Sequence, residues 1–168
     1  WDVHHGNGTQ DIFEADPSVF FASIHEHPCY PGTGLATEIG QGEGRGFTLN
    51  STLAPGSARQ EWLDRFDALL DTAFERFTPD VVLVSAGYDA LAGDPLASQQ
   101  LEPEDYHAMV RGVMRRAEKA SGEAGGARLV ACLEGGYDPR RTGLACVATL
   151  RGLAGVEPAD PTLPVSVG

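Results

Sequence analysis

Apolar residues follow two different periodicities along the chain, and together they predict alternating strands and helices. Short apolar runs, each bounded by proline, glycine or charged residues, are typical of strands. Longer segments in which apolar residues recur every three or four positions are typical of helices with one buried face. The predicted strands cover 19–24, 47–50, 80–85 and 128–133. The predicted helices cover 57–77, 103–117 and 139–153.

The ends of these helices carry local signals. Ser57 and Gln60 have the spacing of a capping box, and Pro79 ends the helix that they begin. Pro103 and Pro139 stand at first-turn positions, where the missing N–H of proline is harmless. In the last helix, the residues expected to face the core are Leu144, Val147, Ala148, Leu150 and Leu153.

The order of the elements predicts an α/β fold with a mainly parallel sheet between helices, because alternating strands and helices pair through right-handed crossovers. Strands that are apolar throughout fit a sheet covered on both faces. The 168 residues suit a single domain. We expect this domain to cover 1–155 and an irregular, proline-containing tail to cover 156–168.

Charge and composition exclude several partners. The 24 acidic and 12 basic side chains give a net charge of -12, which repels phosphate backbones and disfavours a nucleic-acid partner. No apolar run approaches the roughly 18 residues that span a membrane, so no membrane partner is expected. Three widely spaced cysteines and no charged-then-apolar leader indicate a reducing compartment, which we take to be the cytoplasm. The sequence does not constrain the oligomeric state.

The chain opens directly on Trp1, followed by a dense cluster of polar residues. Since clusters of this kind rarely stand at a free end, we expect that an N-terminal part of the protein precedes this segment. A processed mature terminus is the alternative interpretation.

Polar side chains follow the predicted strands at their carboxyl ends, where open parallel sheets bind ligands. Asp89 follows strand 80–85, and the polar run 134–137 follows strand 128–133. Asp2 and His4 are two residues apart, so in an extended segment they point to the same side. We therefore expect Asp2, His4 and Asp89 to converge at one edge of the sheet.

Two carboxylates and one imidazole are suited to a catalytic zinc ion, which takes three protein ligands and leaves a fourth position open. The same nitrogen and oxygen donors also suit Fe²⁺ or Mn²⁺. From the residues alone, an aspartate and a histidine at a surface turn remain an equal alternative. His25 and His27 are interpreted as a packed and a loop histidine, and Cys132 and Cys146 as small core residues.

Four groups of residues, in this order along the chain, resemble the zinc-dependent histone deacetylase family. This family includes acetylpolyamine amidohydrolases and acetoin-utilization proteins and shares its fold with arginase. The matching segments are DVHHGNGT at 2–9, PGTG at 31–34, AGYDA at 86–90 with GDPL at 93–96, and LEGGY at 133–137. The resemblance spans residues 1 to about 155 and corresponds to the C-terminal half of the family's catalytic domain.

The resemblance implies a three-layer, arginase-like fold and the removal of acetyl groups from acetyl-lysine or acetylpolyamine. It makes Asp2, His4 and Asp89 the zinc ligands and makes Tyr137 the residue that stabilises the oxyanion. The implied lining of the substrate tunnel is Tyr30, Leu96, Gly135 and Gly136. The implied ligands of a structural potassium ion, through backbone carbonyls or a hydroxyl, are Asp2, His4, Ser23 and Ile24.

The chain departs from the family pattern in its general base and acid. The family uses a tandem histidine pair upstream of this segment, and His4 and His5 do not correspond to it. We therefore expect little or no activity, and weak metal binding, from this polypeptide alone. Two other functions remain open. One is a ureohydrolase of the same fold, which would require a further aspartate after His4. The other is a non-catalytic module that binds acyl groups or proteins.

Overall fold

The computed structural model describes residues 1–122 and 128–158, and it confirms the α/β class of the fold. The strands form two parallel pairs, and helices alternate with the strands along the chain, as the apolar patterns predict. The strands are β1 Phe21–Glu26, β2 Thr48–Leu53, β3 Val82–Ala86 and β4 Leu129–Leu133. The helices are α1 Asn7–Phe13, α2 Arg59–Arg76, α3 Asp105–Ser121 and α4 Pro139–Leu153, with a 3-10 turn at Gly42–Gly44.

The described strands form two parallel pairs, and the opening segment of the chain lies between them. Strand β1 pairs with β2, and β3 pairs with β4. The backbone N–H of Glu26 in β1 donates to the carbonyl of Val3 at 2.9 Å. The amino group of Trp1 donates to the carbonyl of Ser85 in β3 at 3.0 Å. Segment 1–4 is therefore held at the junction of the two pairs, which determines where its polar side chains lie.

The core is built by α2 and α3 packing on the inner face of the strands. The three- and four-residue spacing in α2 buries Trp62, Phe66, Leu69 and Leu70, as predicted. Helix α3 buries its own apolar stripe in the same way. Burial of large apolar side chains contributes about 1.5–3 kcal/mol each relative to exposure, so this stripe is a main source of stability.

The sequence predictions are wrong at several element ends. Helix α1 was not predicted, because within it only Gln10 is buried and no apolar stripe marks it. Strand β1 continues to Glu26, so His25 lies inside the strand and not after it. Helix α2 begins after Ala58 without a side-chain cap, so the capping box at Ser57 is not formed.

The prediction that both faces of the sheet are covered is also wrong in the described structure. Leu83 of β3 is 72% exposed and its neighbour Val130 of β4 is 50% exposed, while Val84 on the opposite face is buried. Cys132 lies on the same outer face and is exposed, so it is not a core residue. Cys146 is half-buried and packs against the core.

Helix α4 buries a different face from the one predicted. Ala145, Thr149 and Gly152 are buried, whereas Leu144, Val147 and Leu150 are exposed. The reason is close packing, since a Cβ on Gly152 would overlap the Val110 side chain of α3. The helices approach each other through small residues, which leaves the larger apolar ones outside. Pro139 does begin α4, and Asp138 caps it by accepting hydrogen bonds from the N–H groups of Arg140 and Arg141.

Two further expectations concern the ends and the surface of the molecule. The predicted irregular tail falls mostly on residues 159–168, which lie outside the described residues. Within the described part, no helix combines the length and the apolar character that crossing a membrane requires.

Candidate metal and acyl site

Asp2, His4 and Asp89 lie together at the carboxyl ends of the strands. One donor atom from each side chain lies within 4.8 Å of the other two. The Nδ1 atom of His4 is 3.1 Å from Oδ1 of Asp2 and 3.0 Å from Oδ2 of Asp89. The expected convergence is therefore present in the structure, and the assignment of these side chains as metal ligands stays a prediction.

Backbone N–H groups hold both carboxylates in place. Asp89 accepts a hydrogen bond from the N–H of Val3 at 2.8 Å through Oδ1, which leaves Oδ2 directed at His4. Asp2 accepts from the N–H of His4 at 2.8 Å and from the N–H of Gly135 at 2.9 Å. The cluster is thus oriented by three separate chain segments before any ion is bound.

The electrostatics of the cluster favour a cation. Asp89 is fully buried. Burial first, and then the neighbouring Asp2 carboxylate, raise the pKa of Asp89 to about 6. Two carboxylates that share a buried site repel each other, and a cation between them removes this cost. A divalent ion therefore fits the donor set better than a proton does at neutral pH.

Two glycines make room for the carboxylates. A Cβ on Gly135 would overlap Oδ2 of Asp89, and a Cβ on Gly87 would overlap Oδ2 of Asp2. Any side chain at either position would displace a carboxylate from the cluster. Gly135 is predicted at the acyl pocket. Gly87 could not be singled out from the sequence, because its contact forms only when the Asp2 segment meets the end of β3.

An open cavity of about 540 Å³ leads from the surface to His4. Its lining consists of His4, Cys29, Tyr30, Leu96 and Tyr137. The predicted tunnel residues Tyr30 and Leu96 are thus both in the wall, and the predicted Tyr137 is beside them. Gly136 lies next to Thr142 and Tyr88 instead, and its φ of 128° is one that favours glycine.

Asp94 connects two walls of this cavity through hydrogen bonds to Leu96 and Tyr137. Its Oδ1 accepts from the N–H of Leu96 at 2.9 Å, and its Oδ2 accepts from the N–H of Tyr137 at 2.8 Å. Burial, followed by the nearby carboxylates of Asp89, Asp2 and Asp94, raises the pKa of Tyr137 above its ordinary value. The phenol therefore stays protonated at neutral pH and is available as a hydrogen-bond donor.

Comparison with known proteins decides the family. The model of the histone deacetylase domain matches residues 1–153 of the chain. The chain belongs to the histone deacetylase family. Its α/β architecture matches part of solved deacetylase and acetylpolyamine aminohydrolase folds, as the resemblance implied.

Named members of the histone deacetylase family match nearly the whole chain. Histone deacetylase 14, chloroplastic, of Arabidopsis thaliana is 42% identical over 155 residues, covering 92% of this chain and 36% of the relative. A histone deacetylase-like amidohydrolase of Pseudomonas aeruginosa is 41% identical over 164 residues, covering 96% and 42%. The crystal structure of an acetylpolyamine aminohydrolase from Burkholderia pseudomallei has a TM-score of 0.81 at 28% identity, covering 92% and 43%. The chain thus spans about two-fifths of the length of these relatives.

The residues that resemble the family's potassium ligands lie on two segments that a backbone hydrogen bond joins. Ser23 and Ile24 are buried in β1, the strand that pairs through Glu26 with the Asp2–His4 segment. The Ser23 hydroxyl is 3.0 Å from Nδ1 of His25. Because Nε2 of His25 must donate to the carbonyl of Gly34 at 3.0 Å, Nδ1 is the acceptor and Ser23 donates to it. The lone pairs of Ser23 are then available to a cation, and potassium binding stays a prediction.

The remaining histidines of this region have structural surroundings. His5 points away from the cluster, towards Thr33 and Gln10. His25 is fully buried, as a packed histidine should be, and His27 lies half-buried in the loop after β1. None of the three belongs to the group of converging donor atoms found among the described residues.

His25 makes stability depend on pH in the metal-free protein. Burial, and then the nearby His5, lower the pKa of His25 to about 4. The unfolded chain binds a proton at this histidine below about pH 6.5, whereas the folded protein does not. Folding free energy on the order of 3 kcal/mol is therefore lost as the pH falls from about 6.5 to about 4.

Urea unfolding at pH 7 and pH 4.5, in the presence of a chelator, measures this loss. The variant His25→Gln should show a smaller difference between the two pH values, and His107→Gln, near the surface, should keep the full difference. Asp89 titrates in the same range with the opposite sign, but it is present in all three proteins. Equal pH dependence of His25→Gln and the unchanged protein would contradict the assignment.

Proposed function

We propose that this chain is the metal-binding part of a deacetylase that hydrolyses acetylated amines, either acetyl-lysine in proteins or acetylpolyamine. The observation that carries the proposal is the convergence of Asp2, His4 and Asp89 beside a cavity that His4 and Tyr137 line. Membership of the histone deacetylase family supports the reaction class. The names of the relatives support both kinds of substrate without separating them.

Zinc is the proposed metal, and Fe²⁺ is possible with the same donors. Asp2, His4 and Asp89 would hold it, and the cavity would leave its remaining position open to water and substrate. A bound zinc ion supplies a Lewis acid and lowers the pKa of its water. The proposed structural potassium ion would use carbonyls of Asp2, His4 and Ile24 together with the Ser23 hydroxyl.

The side chains around the cavity have separate proposed roles. Tyr30 and Leu96 confine the alkyl chain of the acetylated amine, which limits rotation of the amide near His4. The phenol of Tyr137 donates a hydrogen bond to the carbonyl oxygen as negative charge develops on it. Gly135 leaves space for the carboxylates, and its backbone N–H orients Asp2.

The 168-residue chain is proposed to have little or no activity by itself. In the described part, His4 is the histidine that faces the cluster, and its ring is needed as a ligand; His5 is directed elsewhere. General acid and base groups contribute about 10²–10⁴-fold each, so their absence leaves a very slow reaction. The exposed apolar face around Leu83 and Val130 also supports a need for further sequence to cover it.

The test compares this chain with the product of the whole gene on an acetyl-lysine peptide and on acetylspermidine, at equal zinc concentration. The whole product should hydrolyse at least one substrate, and the chain alone should be slower by at least about a hundredfold. Equal rates would show that the chain contains its own general base. No hydrolysis by the whole product would overturn the proposed function.

A non-catalytic module that binds acyl groups or proteins is the second candidate. The open cavity with the exposed Tyr30 and Leu96 is the observation that favours it. Saturable binding of an acetyl-lysine peptide by the whole product without hydrolysis would support it. The expected partners otherwise remain the acetylated substrates, with no nucleic acid or membrane, and the proposed compartment is the cytoplasm.

A further inference from the structure

A partly buried hydrogen-bond network lies beside the proposed metal site and links it to the wall of the cavity. His5, which follows the proposed ligand His4, is 2.8 Å from the Thr33 hydroxyl through Nδ1 and 3.0 Å from Oε1 of Gln10 through Nε2. Gln10 donates from Nε2 to Oε2 of Glu38 at 2.6 Å. Asn50 donates to the same Oε1 of Gln10 at 2.8 Å. We call this set of side chains, Thr33, His5, Gln10, Asn50 and Glu38, the Glu38 network.

Glu38 also holds the loop that follows Tyr30. Its Oε1 accepts from the N–H of Gly34 at 3.0 Å and from the N–H of Leu35 at 2.9 Å. Gly34 has a φ of 89°, and a Cβ there would lie 2.5 Å from both the His25 and the His5 rings. The loop therefore sits directly on the two histidines, with its backbone fastened to the Glu38 carboxylate.

The Glu38 carboxylate determines which atoms donate and which accept hydrogen bonds along the Glu38 network, from Glu38 to Nε2 of His5. Partial burial raises the pKa of Glu38, but hydrogen bonds from Leu35, Gln10 and Gly34 outweigh it, so the net pKa shift is downward. An ionised carboxylate only accepts hydrogen bonds, so Gln10 must turn its NH₂ towards Glu38 and its oxygen towards His5 and Asn50. Nε2 of His5 must then carry a proton, which it donates to Oε1 of Gln10.

We infer that Glu38 is a positioning residue whose carboxylate, acting through Gln10, keeps a proton on Nε2 of His5 and fastens the loop after Tyr30 to the segment that carries His4. Sequence reasoning gave Glu38 no role, since it lies 28 residues from Gln10 and 33 from His5. That the fastened loop is a wall of a substrate cavity rests on the proposed function. The directions of the hydrogen bonds and the attachment of the loop to Glu38 do not depend on the proposed function.

The unaltered chain provides the first test. A long-range ¹H–¹⁵N correlation spectrum of the metal-free protein should show His5 with its proton on Nε2. A spectrum in which Nε2 of His5 carries no proton would overturn the inference without any substitution. This measurement is independent of hydrolysis, so it stands or falls separately from the proposed function.

A charge swap provides the second test. Glu38→Gln keeps the size of the side chain but replaces one acceptor oxygen with an NH₂ donor. This NH₂ group then faces either the Gly34 and Leu35 N–H groups or the NH₂ of Gln10, all of which are also donors. Amide hydrogen exchange at Gly34 and Leu35 should accelerate at least about tenfold. Adding Gln10→Glu restores an acceptor opposite Gln at 38, and exchange should return to within about threefold of the unaltered chain.

The matched control is the exposed pair in which Gln41 donates to Glu14 at 3.0 Å. Glu14→Gln should leave exchange at Gly34 and Leu35 unchanged, because that pair contacts neither the loop nor His5. The inference is overturned if Glu38→Gln exchanges like the unaltered chain, or if adding Gln10→Glu recovers nothing. In the whole gene product, Glu38→Gln should raise KM for the acetyl-lysine peptide more than it lowers kcat, and the double variant should restore KM.

Discussion

Replacing Asp89 with asparagine is expected to abolish zinc binding and to stabilise the metal-free protein at the same time. Asparagine keeps the oxygen that accepts from Val3 and offers an NH₂ group to the ring of His4. It removes the negative charge that a divalent ion requires. Since loss of an outer partner already costs about 10–100-fold in metal affinity, loss of a ligand should cost at least about a hundredfold.

The stabilisation follows from the raised pKa. The pKa of Asp89 is about 6 in the folded protein against 3.8 ordinarily, so the folded state holds this proton more tightly than the unfolded state does. Without metal, stability therefore falls as the pH rises from about 4 to about 6, and it stays lower at pH 7.5. Asparagine removes a cost on the order of 3 kcal/mol.

Calorimetric zinc titration and urea unfolding with a chelator, both at pH 7.5, measure the two effects. The control is Asp105→Asn, because Asp105 is equally buried but pairs with Arg59 at 2.6 Å, away from the cluster. That variant should lose stability and keep its zinc affinity. An Asp89→Asn protein with unchanged zinc affinity would show that Asp89 is not a ligand. One that unfolds more easily without metal would show that the charge of Asp89 does not destabilise the folded protein.

Sequence patterns predicted the buried face of an element where that face depends only on the spacing of apolar residues within the element. The α2 stripe with Trp62 and Phe66 was predicted because the 3.6-residue period decides which side chains share a face. The buried face of α4 was predicted wrongly, because it depends on how α4 packs against α3. A Cβ on Gly152 would overlap Val110 of α3, so α4 packs through small residues there, and the sequence of α4 alone does not show how close α3 comes.

The candidate site shows the same division. Asp2 and His4 could be grouped because their spacing places them on one side of an extended segment, and Asp89 because it follows a predicted strand. Family resemblance added Tyr137. Gly87 and Glu38 could not be found, since each acts on residues that are distant in sequence. Gly87 has no side chain to suggest a function, and the role of Glu38 depends on which atom of Gln10 faces it.

Replacing Tyr137 with phenylalanine in the whole gene product is expected to lower kcat by about 10²–10³-fold, which is the usual effect of losing one oxyanion donor. The ring is 48% exposed at the cavity, so removing its hydroxyl should disturb neither packing nor the three proposed ligands. Zinc affinity and the urea midpoint should therefore be unchanged. Steady-state kinetics on an acetyl-lysine peptide, with zinc titration of the same samples, separate these quantities.

Tyr106→Phe is the matched control, because Tyr106 is fully buried in α3 and its hydroxyl has no hydrogen-bond partner among the described residues. Removing that hydroxyl should leave kcat unchanged and should, if anything, increase stability. A Tyr137→Phe enzyme with normal kcat would exclude Tyr137 as the oxyanion donor. A loss confined to KM would place the phenol in substrate binding instead, since only an interaction made in the transition state lowers kcat and kcat/KM together.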